Sequence, residues 1–236
     1  MRTVSVRNLR SHKVRLTLTV ISVLLGTAFV AGSFIFTDTL KKSFDTIFAT
    51  SDKGIDARVQ PSKSFAAGVP VSTIPVIEKV PGVRAVQPQV NAPIVLVDPK
   101  GKRIDTGGAP SVGSDWTSGN TVQEPPKLIR GHAPQRQDEI AINDSAAGKY
   151  HVDTGDRVKV VLPNTSIVTA TIVGVYDISF DTGGFLGALF TPDQARSLFT
   201  DGRHYTAVDV AGDQGLSETT LAARIDKVLP ASLEVK

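Results

Sequence analysis

The chain has 236 residues, 41% hydrophobic and 21% charged, with a net charge of +3, a pI near 9.2 and a mean hydropathy of +0.02. That length supports one domain or two small ones, and ordinary apolar content beside 20 Gly and 14 Pro excludes a disordered or collagen-like chain. With no cysteine, disulfides, thiolate nucleophiles, Cys-ligated zinc and iron–sulfur clusters are excluded as well.

The charges are unevenly placed. Arg2, Arg7, Arg10, Lys13 and Arg15 all precede the first acidic residue, Asp38, which leaves 21 basic against 23 acidic groups in the remainder. Residues 1–15 are therefore a basic tail on a slightly acidic body. Leu16 to Phe36 then runs for 21 residues without a charge, and a helix of that length covers about 31 Å, matching a hydrocarbon core of about 30 Å. Twelve of these positions are Leu, Ile, Val or Phe, a gross drive for insertion of about 4–7 kcal/mol. Residues 16–37 are expected to form a transmembrane helix in the cell membrane. By the positive-inside rule the N-terminus is cytoplasmic and residues 38–236 are extracytoplasmic.

A cleavable signal peptide is the competing reading, since Ala31-Gly32-Ser33 offers small residues after a basic start; the apolar run continues through Phe34-Ile35-Phe36, which is long for such a segment. Ser22 and Gly26, and Ala28 and Gly32, place small residues four apart, a spacing that lets a second helix approach closely but is also common in spans generally. Leu40, Phe44, Ile47 and Phe48 then share one helical face, and no Pro or Gly falls between Ser33 and Ser51, so residues 38–50 are expected to continue outward as a stalk helix.

From residue 51 to 236 short strands and helices alternate between Gly/Pro turns. Strands are expected at Ile55–Gln60, within Val83–Val97, at Lys102–Asp105 after the turn Asp98-Pro99-Lys100-Gly101, and at Glu139–Ile142, Arg157–Leu162, Ile167–Tyr176, Leu186–Phe190 and Tyr205–Val210. Helices are expected at Thr73–Val80, Asp144–Tyr150, Pro192–Phe199 and Ser217–Leu229. The last has Ser217 as N-cap and Leu221, Ile225, Val228 and Leu229 on one face. Thr106–Pro126 reads as loop with at most one strand. Without a regular βαβ period, the fold class is α+β and not a doubly wound sheet.

Catalytic patterns fare poorly. Asp-Thr-Gly occurs at Asp105-Thr106-Gly107, Asp153-Thr154-Gly155 and Asp181-Thr182-Gly183, the triplet that carries the shared carboxylates of aspartic proteases. Asp and Gly are equally what turns require, and three turns explain the triplets more simply. Gly101-Lys102 is followed by Arg103 and Gly148-Lys149 by Tyr150, so neither completes a phosphate-binding loop, and no G-x-S-x-G elbow occurs. His12, His132, His151 and His204 lack the spacing of a helical metal site. The tail beside a membrane span has a topogenic explanation, so nucleic acid is not an expected partner. No catalytic, metal or cofactor residue is expected, and the chain is not expected to be an enzyme.

Three segments resemble the FtsX-like/MacB-type permeases of ATP-binding-cassette systems. They are Asn8-Leu9-Arg10-Ser11-His12-Lys13-Val14-Arg15 leading into the span; Ile77-Glu78-Lys79-Val80-Pro81-Gly82-Val83-Arg84-Ala85-Val86-Gln87-Pro88; and the ordered set Gly131-His132-Ala133-Pro134, Asp138-Glu139-Ile140-Ala141-Ile142, Gly155-Asp156 and Ile172-Val173-Gly174-Val175-Tyr176. The resemblance implies a MacB-like periplasmic core domain. It also implies a permease component that exports or extracts lipid, lipoprotein or peptide, or transmits force, energised by a separate cytoplasmic ATPase subunit. The family continues with three further spans that do not occur before Lys236, so the expected partners include a further transmembrane permease subunit or the remainder of the permease. The alternative is a single-span extracytoplasmic binding or adaptor domain without an ATPase. One span cannot enclose a pathway, so transport requires partner helices.

Overall fold

In the computed structural model the residues described are Val14, 17–34, 54–63, 67–117, 122–178 and 184–236. The chain divides into two units, Met1–Asp52 and Lys53–Lys236. In the first, α1 (Thr17–Phe34) is an 18-residue helix with a mean hydropathy of 1.8, solvent-exposed along its whole length. Two of its hydroxyls bond back within the helix: Thr27 Oγ1 donates to the Val23 carbonyl at 2.9 Å and Ser33 Oγ to that of Phe29 at 2.9 Å. That back-bonding lets Thr and Ser sit on an apolar helix without an orphaned donor. The basic residues 2–13 and Arg15, and the stalk at 38–50, lie outside the described residues.

The second unit is built on two principal sheets. The smaller has the order β14 (Leu233–Val235), β1 (Ala57–Pro61), β13 (Ala207–Gly212), β3 (Val83–Gln89), all antiparallel. Beneath it lie the single-turn α2 (Ile74–Ile77) and α5 (Glu218–Asp226), and Val59, Ile77, Val208, Val210, Leu221 and Ile225 are fully buried between them. β2 (Val69–Pro70) pairs with β12 (His204–Tyr205) as a separate ribbon.

The larger sheet follows the order β4 (Asn91–Pro93), β6 (Ser111–Asp115), β11 (Leu186–Phe190), β8 (Glu139–Asn143), β10 (Ile167–Tyr176), β9 (Arg157–Val161), β5 (Val95–Val97), with β7 (Leu128–Gly131) on the far half of β10. It is mixed: β8 and β10 are parallel, as are β6 and β11, and the other pairs are antiparallel. Its two terminal strands are consecutive in sequence with only Ile94 between them, so one bent segment pairs with both ends and closes the path. Closure leaves fewer unpaired edges for another chain to extend. The face bearing Leu96, Ile140, Ile142, Val158, Val160, Ile172 and Phe190 is covered by α3 (Asp144–Tyr150) and α4 (Pro192–Phe199). The opposite face carries a small cluster of Trp116, Ala141, Tyr176 and Leu189.

Most expected elements are present, with three departures. The helix expected over Thr73–Val80 is a 3-10 turn, Val71–Thr73, followed by a single α-turn. The strand expected at Lys102–Asp105 reduces to one bridge, Val97 to Arg103, because Asp98 Oδ1 accepts from Lys100 N and Lys102 N and holds the segment as a turn. α5 begins as expected, with Ser217 Oγ accepting from Thr220 N, but Val228 is 45% exposed and does not share the buried face of Leu221 and Ile225.

Candidate functional site

Two of the three Asp-Thr-Gly triplets are turns. Asp105 Oδ1 accepts from Gly107 N at 2.9 Å; Asp153 Oδ1 accepts from Thr154 N, while Gly155, at φ +94°, donates its N–H to Ile172 O. The third lies outside the described residues. His132 contacts its neighbour's carbonyl, His151 ends α3 in the left-handed conformation, and His204 pairs with Asp201 at 2.8 Å; His12 lies outside the described residues. Among the described residues no three His, Asp or Glu side chains are grouped to hold a metal.

The buried polar side chains are engaged in holding the fold. Glu139 accepts from Gln135 N, Arg136 N and the Arg136 guanidinium, which together pull its carboxyl down to about 2. Asn143 ties β8 to β11, accepting from Gly187 N at 2.7 Å and donating to Phe185 O at 3.1 Å. Asp209 pairs with Arg58 at 2.6 Å, directly across β1 and β13. None of these presents a reactive group to a cleft.

The four pieces of the third sequence signature meet around β10. Thr171 N donates to Asp138 O, Gly155 N to Ile172 O, Ile172 N to Asp156 O and His132 N to Val173 O. Gly131 and Gly174 stand opposite each other in the β7–β10 register, where a Cβ on either would overlap backbone of the other strand. The signature therefore encodes a close strand crossing and its flanking turns rather than a site of chemistry.

The larger sheet is inserted between β3 and β13, and the chain passes between the two sheets at Val90 and again at Thr206. There the crossings are tied together. Thr206 N and Oγ1 both donate to Gln89 O at 2.9 Å, Asn91 N donates to Thr206 Oγ1 at 3.1 Å, and Val90 N donates to Asp115 Oδ1 at 3.0 Å. Burial pushes the Asp115 carboxyl up, opposed by the Val90 N–H, with Asp209 adding to the rise. Gln87 reaches from the smaller sheet to accept from Val122 N and Gln123 N and to donate to Thr117 Oγ1.

A further surface feature of the described residues is a groove of about 700 Å³ beside α2 and α5, lined by Pro75, Val76, Val80, Pro81 and Val228 with Lys79, Arg224 and Lys227 among them. Arg224 is anchored by donating to Pro81 O at 2.8 Å. Sequence reasoning did not find this groove, because its walls are about 140 residues apart, as the Arg224 to Pro81 bond records with a separation of 143.

The family described as MacB-like periplasmic core domain matches residues 16–228. The fold is similar to the periplasmic region of MacB from Actinobacillus actinomycetemcomitans, with 13% identity, a TM-score of 0.50 and coverage of 78% of this chain and 91% of that one. It is also similar to the extracellular domain of the noncanonic ABC-type transporter YknZ from Gram-positive bacteria, with 13% identity, a TM-score of 0.51 and coverage of 76% and 98%. No curated protein sequence matches the chain.

Proposed function

The chain belongs to the MacB-like periplasmic core domain family, and on that premise we propose that it is a membrane-anchored permease component of an ABC-type system that exports or extracts lipid, lipoprotein or peptide, energised by a separate ATPase. The observation that carries the reading is the extent of the family match, residues 16–228, which takes in the apolar helix together with the body. The domain boundaries follow the sequence pattern: basic tail 1–15, span 16–37, stalk 38–50 and extracytoplasmic body 51–236. The cations at positions 2–15 support a cytoplasmic N-terminus and an outer body. Because one helix cannot line a pathway, the partners on this reading are a cytoplasmic ATPase and further spanning helices.

The test is purification of the full chain from its native membranes in mild detergent, followed by mass spectrometry and an ATP hydrolysis assay. A nucleotide-binding subunit and additional spanning polypeptide should come with it, and the assembly should hydrolyse ATP. Recovery of the chain with neither would refute the permease reading and leave the adaptor domain.

A further inference from the structure

The body outside residues 1–15 carries 21 basic and 23 acidic groups, yet the eight residues lining the groove beside α2 and α5 include three cations and no carboxylate. Lys79 and Lys227 are exposed and, among the described residues, have no ion-pair or hydrogen-bond partner. Between them the floor is apolar: Val80 is buried, while Val76 is 42% and Val228 45% exposed. This is a wet aliphatic strip flanked by cations, with Lys79 on the α2 wall and Lys227 at the end of α5 on the other.

Two kinds of occupant carry negative charge beside apolar surface, and the shape decides between them. An acyl chain is stabilised by enclosure over most of its surface, and here the walls are themselves nearly half exposed, so a chain laid in the groove would stay in water along one side. An amphipathic helix needs cover on one stripe only and leaves its opposite face solvated. Carboxylates on either side of such a stripe would meet Lys79 on one wall and Lys227 and Arg224 on the other. We propose that the groove between Val76 and Val228 is a docking site for an acidic amphipathic helix of a partner polypeptide. The proposal stands on the groove alone and is independent of whether the system transports anything.

The probe is a stapled helical peptide of about 15 residues, long enough to hold a helix, with leucines at i, i+3, i+4 and i+7 flanked by glutamates. A second peptide has lysines in place of the glutamates. Fluorescence anisotropy is measured with the full chain in phosphatidylcholine nanodiscs, with empty nanodiscs subtracted. The Glu peptide should bind the parent and bind Lys79→Glu/Lys227→Glu about tenfold or more weakly, the sum of two reversed charge contacts, while the Lys peptide should show the opposite preference. Val76→Ser/Val228→Ser should weaken both. Because the Lys peptide must gain affinity for the charge-reversed protein, misfolding of that variant cannot imitate the result. Equal binding of the Glu peptide by parent and charge-reversed protein overturns the proposal. So does binding of phosphatidylglycerol vesicles that depends on Lys79 and Lys227 without binding of the Glu peptide, which would make the groove a lipid site.

Discussion

Replacing Gly174 by alanine should cost about 2–4 kcal/mol, as large as many core deletions although only a methyl is added. A Cβ at this position would overlap the His132 carbonyl oxygen, an atom of backbone that no rotamer change can move aside. Restoring ordinary carbon–oxygen contact of about 3.3 Å requires β7 and β10 to separate by about 1 Å. The bond from His132 N to Val173 O is 3.0 Å long and would be lost by such a movement. The pairs Gly174 with Gly131 and Val175 with Arg130 are next along the register. Two or three bonds at about 1 kcal/mol each, with Leu128 drawn away from Trp116 and Tyr176, give the stated cost. Gly148→Ala is the matched control: it lies in the middle of α3 with nothing near its missing Cβ, so the same substitution should stabilise by about 0.5–1 kcal/mol. Trp116 is the sole tryptophan, buried and edge-on to Tyr176 at 6.4 Å, so urea unfolding of the full chain in detergent can be followed by its fluorescence. A Gly174→Ala protein within about 0.5 kcal/mol of the parent, the usual range for an unstructured surface change, would refute the close-crossing account.

Arg58→Ala leaves Asp209, 1% exposed, as a buried carboxylate without its guanidinium. Breaking a fully buried pair costs about 3–5 kcal/mol, and since Arg58 is about a third exposed the expected loss in the same urea assay is about 2–3 kcal/mol. Glu139 is held ionised in the fold with its carboxyl at about 2, against 4.5 ordinarily, so its stabilisation is complete above about pH 5 and is lost as pH falls toward 2. Glu139→Gln should therefore be less stable than the parent at neutral pH, with the gap in thermal midpoint closing on acidification; a gap independent of pH would contradict this. Asp115 has the opposite sign. Its carboxyl is raised, so the folded state holds the proton more tightly and stability falls as pH rises through and above the ordinary value of 3.8. Asp115→Asn keeps an oxygen for Val90 N, and should match or exceed the parent at neutral pH, with the difference vanishing in acid. Thr206→Val removes an acceptor for Asn91 N and a donor to Gln89 O, about 1–2 kcal/mol for a half-buried pair of bonds. Amide exchange at Asn91 should quicken, and unchanged exchange there would show that the crossings are held by something else.

What could be read from the sequence was what is local. The ten-residue run Ile167–Tyr176 is rich in β-branched residues and folds as one strand over those bounds. Ser217 caps α5 through its own side chain as expected, and α4 begins at Pro192 as expected, with Thr191 found to cap it in the same way. β2, β7 and β14 were missed because each has only two to four residues, too few to show a period. The joining of β1 to β13 was also beyond reach, since Arg58 and Asp209 are 151 residues apart and nothing in either segment names the other. Val228 shows the limit of face assignment. It falls on the apolar side by spacing, but α5 ends at Asp226, and two residues past the helix the side chain no longer follows the helical phase. The signature set around Gly131, Gly155 and Gly174 was legible as a pattern without its meaning, because the clash that requires glycine at 131 and 174 exists only once β7 and β10 are side by side, whereas Gly155 is held at φ +94° by its turn.

The insertion of one sheet into the other determines how the groove relates to the rest of the body. An occupant between Val76 and Val228 bears on α2 and on the end of α5, and Ile77, Leu221 and Ile225 pack these helices against the smaller sheet. From that sheet β3 and β13 run directly into the two crossings, Gln89-Val90-Asn91 and Tyr205-Thr206-Ala207, neither of which contains glycine or proline. The two crossings are short and are bonded to each other through Thr206. Beside them Gln89 Nε2 is buried without a partner among the described residues, and Asp115 is desolvated near Asp209 while accepting from Val90 N. Ile77, Leu221 and Ile225 together with strands β3 and β13 thus form a continuous packed connection between the groove and the bonded crossings at Thr206.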